Sequence, residues 1–498
     1  MKEYEIIIGL EIHVQLKTKS KMFCGCDNVG EDKESNTTIC PVCTGQPGTL
    51  PVINKQAVDW AVQAALALNC RILEYSKFDR KSYFYPDLPK GYQISQYDQP
   101  IGVGGFINFE INGQMKKIKI TRLHLEEDAA KLIHSDKDET LVDFNRCGTP
   151  LIEIVTEADF NFPEEAKIFL QELRLIMRYL EISEADMEKG HLRCDANISL
   201  RPKGDSKLYP KTEIKNINSF RAVEKALAFE EKRQQALWEK GKQPDKQSTR
   251  GWNEKTEETE EQRVKEEEQD YRYFPEPDLP PLHFTKEYLK HIQSITVELP
   301  AERRERFISM YGFSKYEADI LVSDKKLANY AEEVISELKE WINTERPKDR
   351  GVTWHTHKEE FIKLVANWLI HRLLALLNAQ HLEIKELKVT PENFAELITL
   401  IYEKRVNQQT AQKVLEEMFK TGGDPSNIIE DKKLGQIFDE NALGKIIDEV
   451  IKENPKVVLE YKNGKGAALQ FLMGQVMKKT KGQAEPKILN ELLVHKLK

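Results

Sequence analysis

Long hydrophobic runs are missing from this sequence of 498 residues. No apolar stretch approaches the eighteen or so residues that a membrane-spanning helix needs, so we expect a cytoplasmic protein with no membrane partner. The chain is 40% hydrophobic, which is enough for more than one core, and its length favours two to four domains. The net charge of −8 argues against a surface that is basic throughout, so any site for a polyanion must be local.

Common nucleotide-binding and hydrolase motifs are also missing. There is no Gly-x-x-x-x-Gly-Lys-Ser/Thr loop, and the glycines at 102–105 lack the third glycine of a dinucleotide-binding turn. Any nucleotide must therefore be held by other means, such as divalent metals that bridge its phosphates. No Gly-x-Ser-x-Gly elbow is present, and no free cysteine has an obvious histidine partner, so covalent amide hydrolysis is not expected. If ammonia is used, another polypeptide must make it.

Four of the seven cysteines form a metal-binding pattern. Cys24 and Cys26 are one pair, Cys40 and Cys43 are the second pair, and thirteen residues separate the two pairs. Two tight turns at this spacing can present four thiolates to one ion, which predicts a structural zinc knuckle at 24–43. The alternative is a redox dithiol, which usually lies in a βαβ unit that is not predicted here. The scattered Cys70, Cys147 and Cys194 argue against a disulfide framework and favour a reducing compartment.

Acidic residues interrupt three segments that otherwise read as buried strands. Glu11 and His13 lie two apart in an apolar run, so strand alternation turns both to one face. Similar interruptions occur at 123–128 and at 149–155, and buried carboxylates need a cation, a metal or a proton. If the three strands share one sheet, they predict a divalent-cation site of Glu11, His13, Glu127 and Glu153. Alternatively, each acid is a solvated edge residue or pairs with an arginine.

The hydrophobic pattern changes along the chain and predicts three domains. Residues 1–295 show short β-branched runs with helical intervals at 57–69 and 163–180, which predicts an α+β domain around a mostly antiparallel sheet. Residues 296–410 and 411–498 show helical periodicity and predict two small all-α domains.

Lysine outweighs acid in the last fifty residues. Candidates for a phosphate-binding tail are Lys465, Lys478, Lys479 and Lys481, which lie near glycines and predicted helix ends. The alternative is an ordinary lysine-rich helical surface.

Two segments, 78–92 and 271–280, are rich in Tyr, Phe and Pro and share a similar order of residues. Ordered loops of this composition often line binding sites, and Lys81 and Lys90 would then face a cleft. The alternative is that the aromatic side chains plug a sheet edge.

Several of these segments together resemble one protein family. They are 8–13, 78–81, 92–96, 123–128, 148–155, 193–199, 211–220 and 270–275. They closely resemble the B subunits of the aspartyl/glutamyl-tRNA(Asn/Gln) amidotransferases, over nearly the whole chain. The resemblance implies a catalytic domain similar to glutamine synthetase, followed by a helical domain and a tail that meets tRNA.

The resemblance also implies an activity. A protein of this family would use ATP to activate the side-chain carboxylate of Glu-tRNA(Gln) or Asp-tRNA(Asn), and channelled ammonia would then amidate it. Implied cofactors are ATP, Mg²⁺ and, in part of the family, structural Zn²⁺. Implied partners are the amidase (glutaminase) and the small third protein of the amidotransferase, tRNA and a non-discriminating aminoacyl-tRNA synthetase.

Family matching favours Glu127 over Glu126, because strand alternation lets only one of them face the site. His13 would hold a metal-bound water or accept a proton from ammonium, since Mg²⁺ prefers oxygen ligands. Lys81 and Thr149 are candidates for the channel wall. Asp195, beside Arg193, would bind a second metal or the substrate ammonium, or else be a salt-bridged structural acid.

Two other kinds of function compete with this interpretation. A tRNA-docking scaffold would explain the basic tail but not the acidic strands. A small-molecule amide ligase would share the metal site but would not need the tail.

Overall fold

The structure of the chain is a computed structural model. It describes residues 4–29, 32–134, 139–264, 270–344, 353–434, 440–480, 484 and 486–497. The chain divides into two compact units, Met1–Leu299 and Pro300–Lys498. Within the described residues, no helix combines the length and apolar character needed to cross a membrane.

Unit 1 is a mixed α/β structure built around one large sheet. Its strands are β1 (Tyr4–Gln15), β2 (Arg71–Ile72), β3 (Tyr75–Ser76), β4 (Asp79–Ser82), β5 (Tyr92–Ser95), β6 (Gly102–Ile111), β7 (Gln114–Glu127), β8 (Lys131–His134), β9 (Thr140–Asp143), β10 (Pro150–Thr156), β11 (Leu192–Pro202), β12 (Thr212–Lys215), β13 (Ser248–Asn253), β14 (Glu258–Val264), β15 (Phe274–Pro275) and β16 (Leu282–His283). Its helices are α1 (Lys55–Ala67), α2 (Pro163–Tyr179), α3 (Phe220–Glu239) and α4 (Lys286–Ile295).

The large sheet has the strand order β14-β13-β12-β11-β1-β10-β7-β6-β2. Neighbouring strands are antiparallel except for β12 and β13, which run parallel. The α+β class and the mostly antiparallel sheet expected from the sequence are therefore found. The likeness of this domain to glutamine synthetase stays a prediction.

The two faces of the central strands differ in chemistry. On β1, Ile8, Leu10, Ile12 and Val14 are buried, while the residues between them are more exposed. The buried face packs into one core with α1, α2 and α3, whose apolar residues join it. The helices predicted at 57–69 and 163–180 are α1 and α2, within two residues at each end. The opposite face of β1 is left for polar side chains.

Three smaller sheets complete unit 1. They are β15-β4-β5, β16-β3 and β8-β9. The first joins the two aromatic segments found in the sequence, because Phe274 of β15 pairs with Arg80 of β4.

Unit 2 is helical throughout its described residues. Its helices are α5 (Pro300–Arg306), α6 (Lys315–Val322), α7 (Lys325–Thr344), α8 (Trp354–Trp368), α9 (Leu374–Ala379), α10 (Pro391–Tyr402), α11 (Gln408–Thr421), α12 (Pro425–Asp431), α13 (Glu440–Glu453), α14 (Pro455–Lys462), α15 (Ala467–Lys479) and α16 (Pro486–Leu497). Two π-helical turns, Phe307–Tyr311 and Leu369–Leu373, and a 3₁₀ turn, Ile384–Glu386, connect some of them. Side-chain caps such as Ser314 and Thr390 satisfy free amides at helix starts.

The end of the chain has its own apolar cluster. Leu443, Ile447, Leu472 and Leu489 are fully buried and pack together from α13, α15 and α16. The predicted boundary at residue 410 between two helical domains stays a prediction.

Candidate functional site

The polar face of the large sheet carries a cluster of acids and histidines. In the strand register, His13 of β1 lies opposite Glu153 of β10, and Glu153 lies opposite His124 of β7. Because side chains alternate, Glu11 and Glu126 lie two residues along on the same face. Three strands that are distant in sequence therefore place five ionisable groups side by side. We call these five residues the carboxylate cluster.

The distances within this cluster fit a set of shared ligands. His13 Nε2 lies 3.3 Å from Glu126 Oε1 and 3.6 Å from Glu153 Oε2. His124 Nε2 lies 3.3 Å from Glu153 Oε2. Glu126 and Glu153 expose only 3% and 5% of their surface. Two overlapping groups could each hold an ion, namely Glu11 with His13 and Glu153, and His124 with Glu126 and Glu153.

The ionisation of the cluster follows from burial and from its neighbours. Burial disfavours charge on Glu153, yet His124 and His13 hold the pKa of its carboxyl well below the usual range. Burial opposes a charged His13, but Glu126 and Glu153 hold its pKa well above the usual range. Burial raises the pKa of Glu11, and the charge of Glu153 raises it further. The positive charges of His13 and Lys81 act in the opposite direction, and no ion pair to Glu11 is found within the described residues.

The structure differs from the sequence prediction at Glu127. Glu127 lies opposite Pro150 in the register, whereas Glu126 lies opposite Leu151, so the two acids face opposite sides of the sheet. Glu127 forms a buried ion pair with Lys90, and its Oε1 accepts a hydrogen bond from the Ile94 amide at 2.9 Å. Glu126, not Glu127, therefore joins Glu11, His13 and Glu153. Alternation leaves the choice between the two acids open, and the strand register places Glu126 rather than Glu127 on this face.

Three of the other predicted site residues line one cleft. Lys81, Arg193 and Asp195 line the same cleft as Glu11 and His13, and this cleft has a volume of about 1240 Å³. Arg193 Nη2 donates to Asp128 Oδ2 at 2.6 Å, and Lys215 Nζ donates to Asp195 Oδ2 at 2.6 Å. Asp195 thus forms a salt bridge, which is the structural reading among the alternatives given for it above.

Thr149 is buried directly before β10, and its carbonyl accepts a hydrogen bond from the Asp128 amide at 2.8 Å. The structure does not place it on the cleft surface.

The four predicted zinc cysteines also meet. The sulfur atoms of Cys24, Cys26, Cys40 and Cys43 all lie within 4.8 Å of one another, and the sulfurs of Cys40 and Cys43 are 3.9 Å apart. A tetrahedral ion with Zn–S bonds of about 2.3 Å requires sulfurs about 3.8 Å apart. These four residues form the thiol cluster, and they could hold one tetrahedral ion.

A buried lysine contacts the thiol cluster. Lys21 is fully buried, and its Nζ lies 3.8 Å from Cys43 Sγ and donates to the Phe144 carbonyl at 3.4 Å. A hydrogen bond from Cys24 lowers the pKa of Cys43 to about 5, and the positive charge of Lys21 lowers it as well.

Sequence reasoning missed three residues of these sites. His124 precedes Glu126 by two residues, so the alternation that paired Glu11 with His13 could have found it. Arg122, 3.8 Å from Glu153 Oε1, continues the same alternation. Lys21 gave no signal, because a lysine beside cysteines normally faces solvent.

Three of the four lysines predicted for a phosphate-binding tail lie on or beside the last helices. Lys479 pairs with Glu449 and Glu453 at 3.2 and 2.7 Å, and Lys465 lies 3.7 Å from Glu460. Lys478 is in the last turn of α15. Lys481 lies outside the described residues.

The described chain thus combines a mixed α/β unit, which carries a cleft of acids and histidines, with a helical unit. Two family profiles match these units: residues 6–290 match the GatB/GatE catalytic domain, and residues 355–497 match the GatB domain.

Curated relatives extend this match over the whole chain. The B subunit of the aspartyl/glutamyl-tRNA(Asn/Gln) amidotransferase from Carboxydothermus hydrogenoformans is 48% identical, covering 100% of this chain and 99% of that protein. Proteins of the same name from Persephonella marina and Dehalococcoides mccartyi are 47% and 49% identical, covering 100% and 99% of this chain and 100% and 99% of their own lengths. The chain belongs to the family of amidotransferase B subunits.

Proposed function

We propose that this chain activates the side-chain carboxylate of a misacylated tRNA with ATP, so that ammonia can convert it to an amide. The substrates would be Glu-tRNA(Gln), Asp-tRNA(Asn) or both, in line with the names of its relatives. The observation that carries the proposal is the carboxylate cluster, of which Glu11, His13 and Glu126 line the cleft.

The chemistry explains why ATP would be needed. A carboxylate is a poor electrophile because its leaving group would be oxide. Transfer of the γ-phosphoryl group to a carboxylate oxygen releases ADP and gives an acyl phosphate. Ammonia then attacks the carbonyl carbon, phosphate leaves, and a proton is lost to form the amide.

The carboxylate cluster fits a magnesium site. Glu11, Glu126 and Glu153 supply carboxylate oxygens, the ligands that this cation prefers. When bound, Mg²⁺ would neutralise phosphate charge and lower the repulsion between the two reacting anions. His13 would orient Glu126 and Glu153, which it contacts in the structure.

Other cleft residues would bind and orient the substrate. Burial opposes a charged amine on Lys81, but the negative charges of Glu126 and Glu153 raise the pKa of this amine above its usual value. It would therefore attract phosphate or carboxylate oxygens. Asp195 and Arg193 have partners in the structure, and we assign them the orientation of the aminoacyl group.

The thiol cluster would hold a structural zinc ion. Four thiolates fill the coordination sphere, so no position remains for a substrate. The ion would fix the loop after β1, and Lys21 would compensate part of the negative charge of four thiolates.

Partners of the proposed reaction follow from the family. The amidase would release ammonia, the small third protein would complete the amidotransferase, and a non-discriminating synthetase would supply the tRNA. The lysines at the chain end, Lys465, Lys478, Lys479 and Lys481, would contact tRNA phosphates. Binding should then weaken with salt, and the slope should fall when these lysines are replaced.

The test is release of phosphate from ATP by the chain in complex with its amidase partners. We expect release that depends on Mg²⁺, rises with Glu-tRNA(Gln), and is lost in Glu153→Gln. Glu165→Gln is the matched control, because Glu165 is also buried but lies on α2, where it pairs with Lys116 at 3.1 Å. Absence of tRNA stimulation would leave a docking scaffold, and activity with a free amino acid would indicate a small-molecule ligase.

A further inference from the structure

The two aromatic segments of the sequence meet at the rim of the cleft. The pairing of β15 with β4 and a hydrogen bond from the Ser82 amide to the Tyr271 carbonyl, at 2.9 Å, hold them together. Four tyrosines from these segments and the end of β5 line the cleft. They are Tyr83, Tyr97, Tyr271 and Tyr273.

Two of these rings form a parallel stack. The ring centroids of Tyr97 and Tyr273 are 4.3 Å apart, and the ring planes differ by 13°. Tyr97 is 58% exposed, so the ring face turned away from Tyr273 is open to solvent. Tyr271 contacts the edge of Tyr273 with centroids 6.2 Å apart, and Lys81 Nζ lies 4.8 Å from the Tyr271 centroid.

A plug for the sheet edge does not explain this arrangement. A plug would bury its rings against the sheet, since burial of apolar surface is what stabilises it. Tyr97 instead leaves more than half of its surface in water beside a cleft whose floor is strongly charged. A flat π surface at such a place is suited to a planar ligand.

We infer that the Tyr97–Tyr273 stack is a binding platform for an adenine base. Stacking on aromatic rings is a general way to hold bases, because every base has a π face. The nearby ammonium of Lys81 would attract the phosphates that accompany the base. The inference rests on the proposed function, in which two substrates carry adenine: ATP and the tRNA, through its 3′-terminal adenosine.

The test compares Tyr97→Ala with Tyr97→Phe, which keeps the ring. The control is Tyr75→Ala, because Tyr75 also stacks, on His283, with centroids 4.6 Å apart and planes 8° apart, and is 53% exposed. Dissociation constants are measured with Mg²⁺ for the assembled complex. The probes are ATP and inorganic triphosphate, and a short RNA that ends in CCA with the same RNA lacking its terminal base.

We expect Tyr97→Ala to weaken binding of one adenine-bearing probe about 10-fold or more. Triphosphate and the RNA without its last base should bind as they do to the unaltered complex. Tyr97→Phe and Tyr75→Ala should bind all probes normally. The probe that responds identifies the substrate whose base occupies the platform.

Two results would overturn the inference: no change with either adenine-bearing probe, or an equal loss with the probes that lack adenine. The outcome is separate from that of the proposed function. If the complex shows no tRNA-stimulated phosphate release, Tyr97→Ala can still weaken adenine binding, and the inference then stands while the proposed function fails. If the complex is active but Tyr97→Ala binds adenine normally, the inference fails while the proposed function stands.

Discussion

The thiol cluster and the carboxylate cluster bring metal-binding side chains together in opposite ways. The four thiols lie within one loop, residues 24–43, whereas the acids and histidines come from β1, β7 and β10. The thiols form a closed set of soft ligands. The carboxylates form a set of hard ligands, and two of them, Glu11 and Glu126, line a large cleft.

Because of this difference, we expect the thiol cluster to contribute to the stability of the fold and the carboxylate cluster to contribute to activity. A closed four-thiolate site contributes to folding because it ties chain segments together. A site on one face of a sheet can lose a ligand without loss of the fold, since the opposite face carries the core. Substitutions in the two clusters should therefore have separable effects, one on activity and the other on stability.

The largest effect is expected from Glu126→Gln. It removes a carboxylate that contacts His13 at 3.3 Å, so tRNA-stimulated phosphate release should fall by about 100-fold or more. The Tm should change little, because Glu153 still contacts His13. Glu127→Gln is the adjacent control. It should affect phosphate release less and stability more, because it leaves the buried amine of Lys90 without its counter-charge. A greater loss of activity in Glu127→Gln would contradict the assignment.

Cys40→Ser should act on stability instead. Loss of one thiolate should remove the zinc, as measured by metal analysis, and lower the Tm by about 5 °C or more. Phosphate release at low temperature should be partly retained, because the carboxylate cluster is built from other strands. Full zinc content in this variant would refute the four-thiolate site.

Lys21→Met should have a smaller effect on the same site. It keeps the length of the side chain and removes the charge next to Cys43. Replacement of a group that contacts a ligand typically weakens metal binding by about 10- to 100-fold. Competition with a chelator would measure the zinc affinity of the variant. Lys17→Met is the control, because Lys17 is exposed and pairs with Glu184. Equal chelator sensitivity of the two variants would show that Lys21 has no role.

The smallest effect concerns an acid outside both clusters. Burial would raise the pKa of Glu230, but Arg233, Thr259 and Gln234 more than offset this and hold it below its usual value of 4.5. A lowered pKa stabilises the fold above the unfolded value, and this contribution is lost as the pH falls through the folded value. Denaturant unfolding from pH 6 down to pH 3 should therefore show less loss of stability for Glu230→Gln. An identical pH dependence would exclude this role for Glu230.

The sequence predicted the thiol cluster well because its information is local. Spacing between Cys24, Cys26, Cys40 and Cys43 is enough to bring the sulfurs together in two turns. The α+β unit, helices α1 and α2 and the face shared by Glu11 and His13 were also predictable, since they follow from the period of the hydrophobic residues.

The carboxylate cluster was predictable only in part because it depends on register. Alternation shows that Glu126 and Glu127 face opposite sides, but only the pairing of Glu126 with Leu151 shows which side meets His13. The position of Lys21 and the stack of Tyr97 on Tyr273 also depend on long-range contacts, so they could not be predicted from the sequence. The rings of that stack lie on segments far apart in the chain.

Direct measurement of metal binding tests the central claim most sharply. Mn²⁺, which accepts the same oxygen ligands as Mg²⁺ and is visible by electron paramagnetic resonance, can be titrated into the full chain with zinc retained. We predict a site that is lost in Glu153→Gln and kept in Glu165→Gln and Lys21→Met. Unchanged Mn²⁺ binding in Glu153→Gln would show that the carboxylate cluster is not the site of the divalent cation.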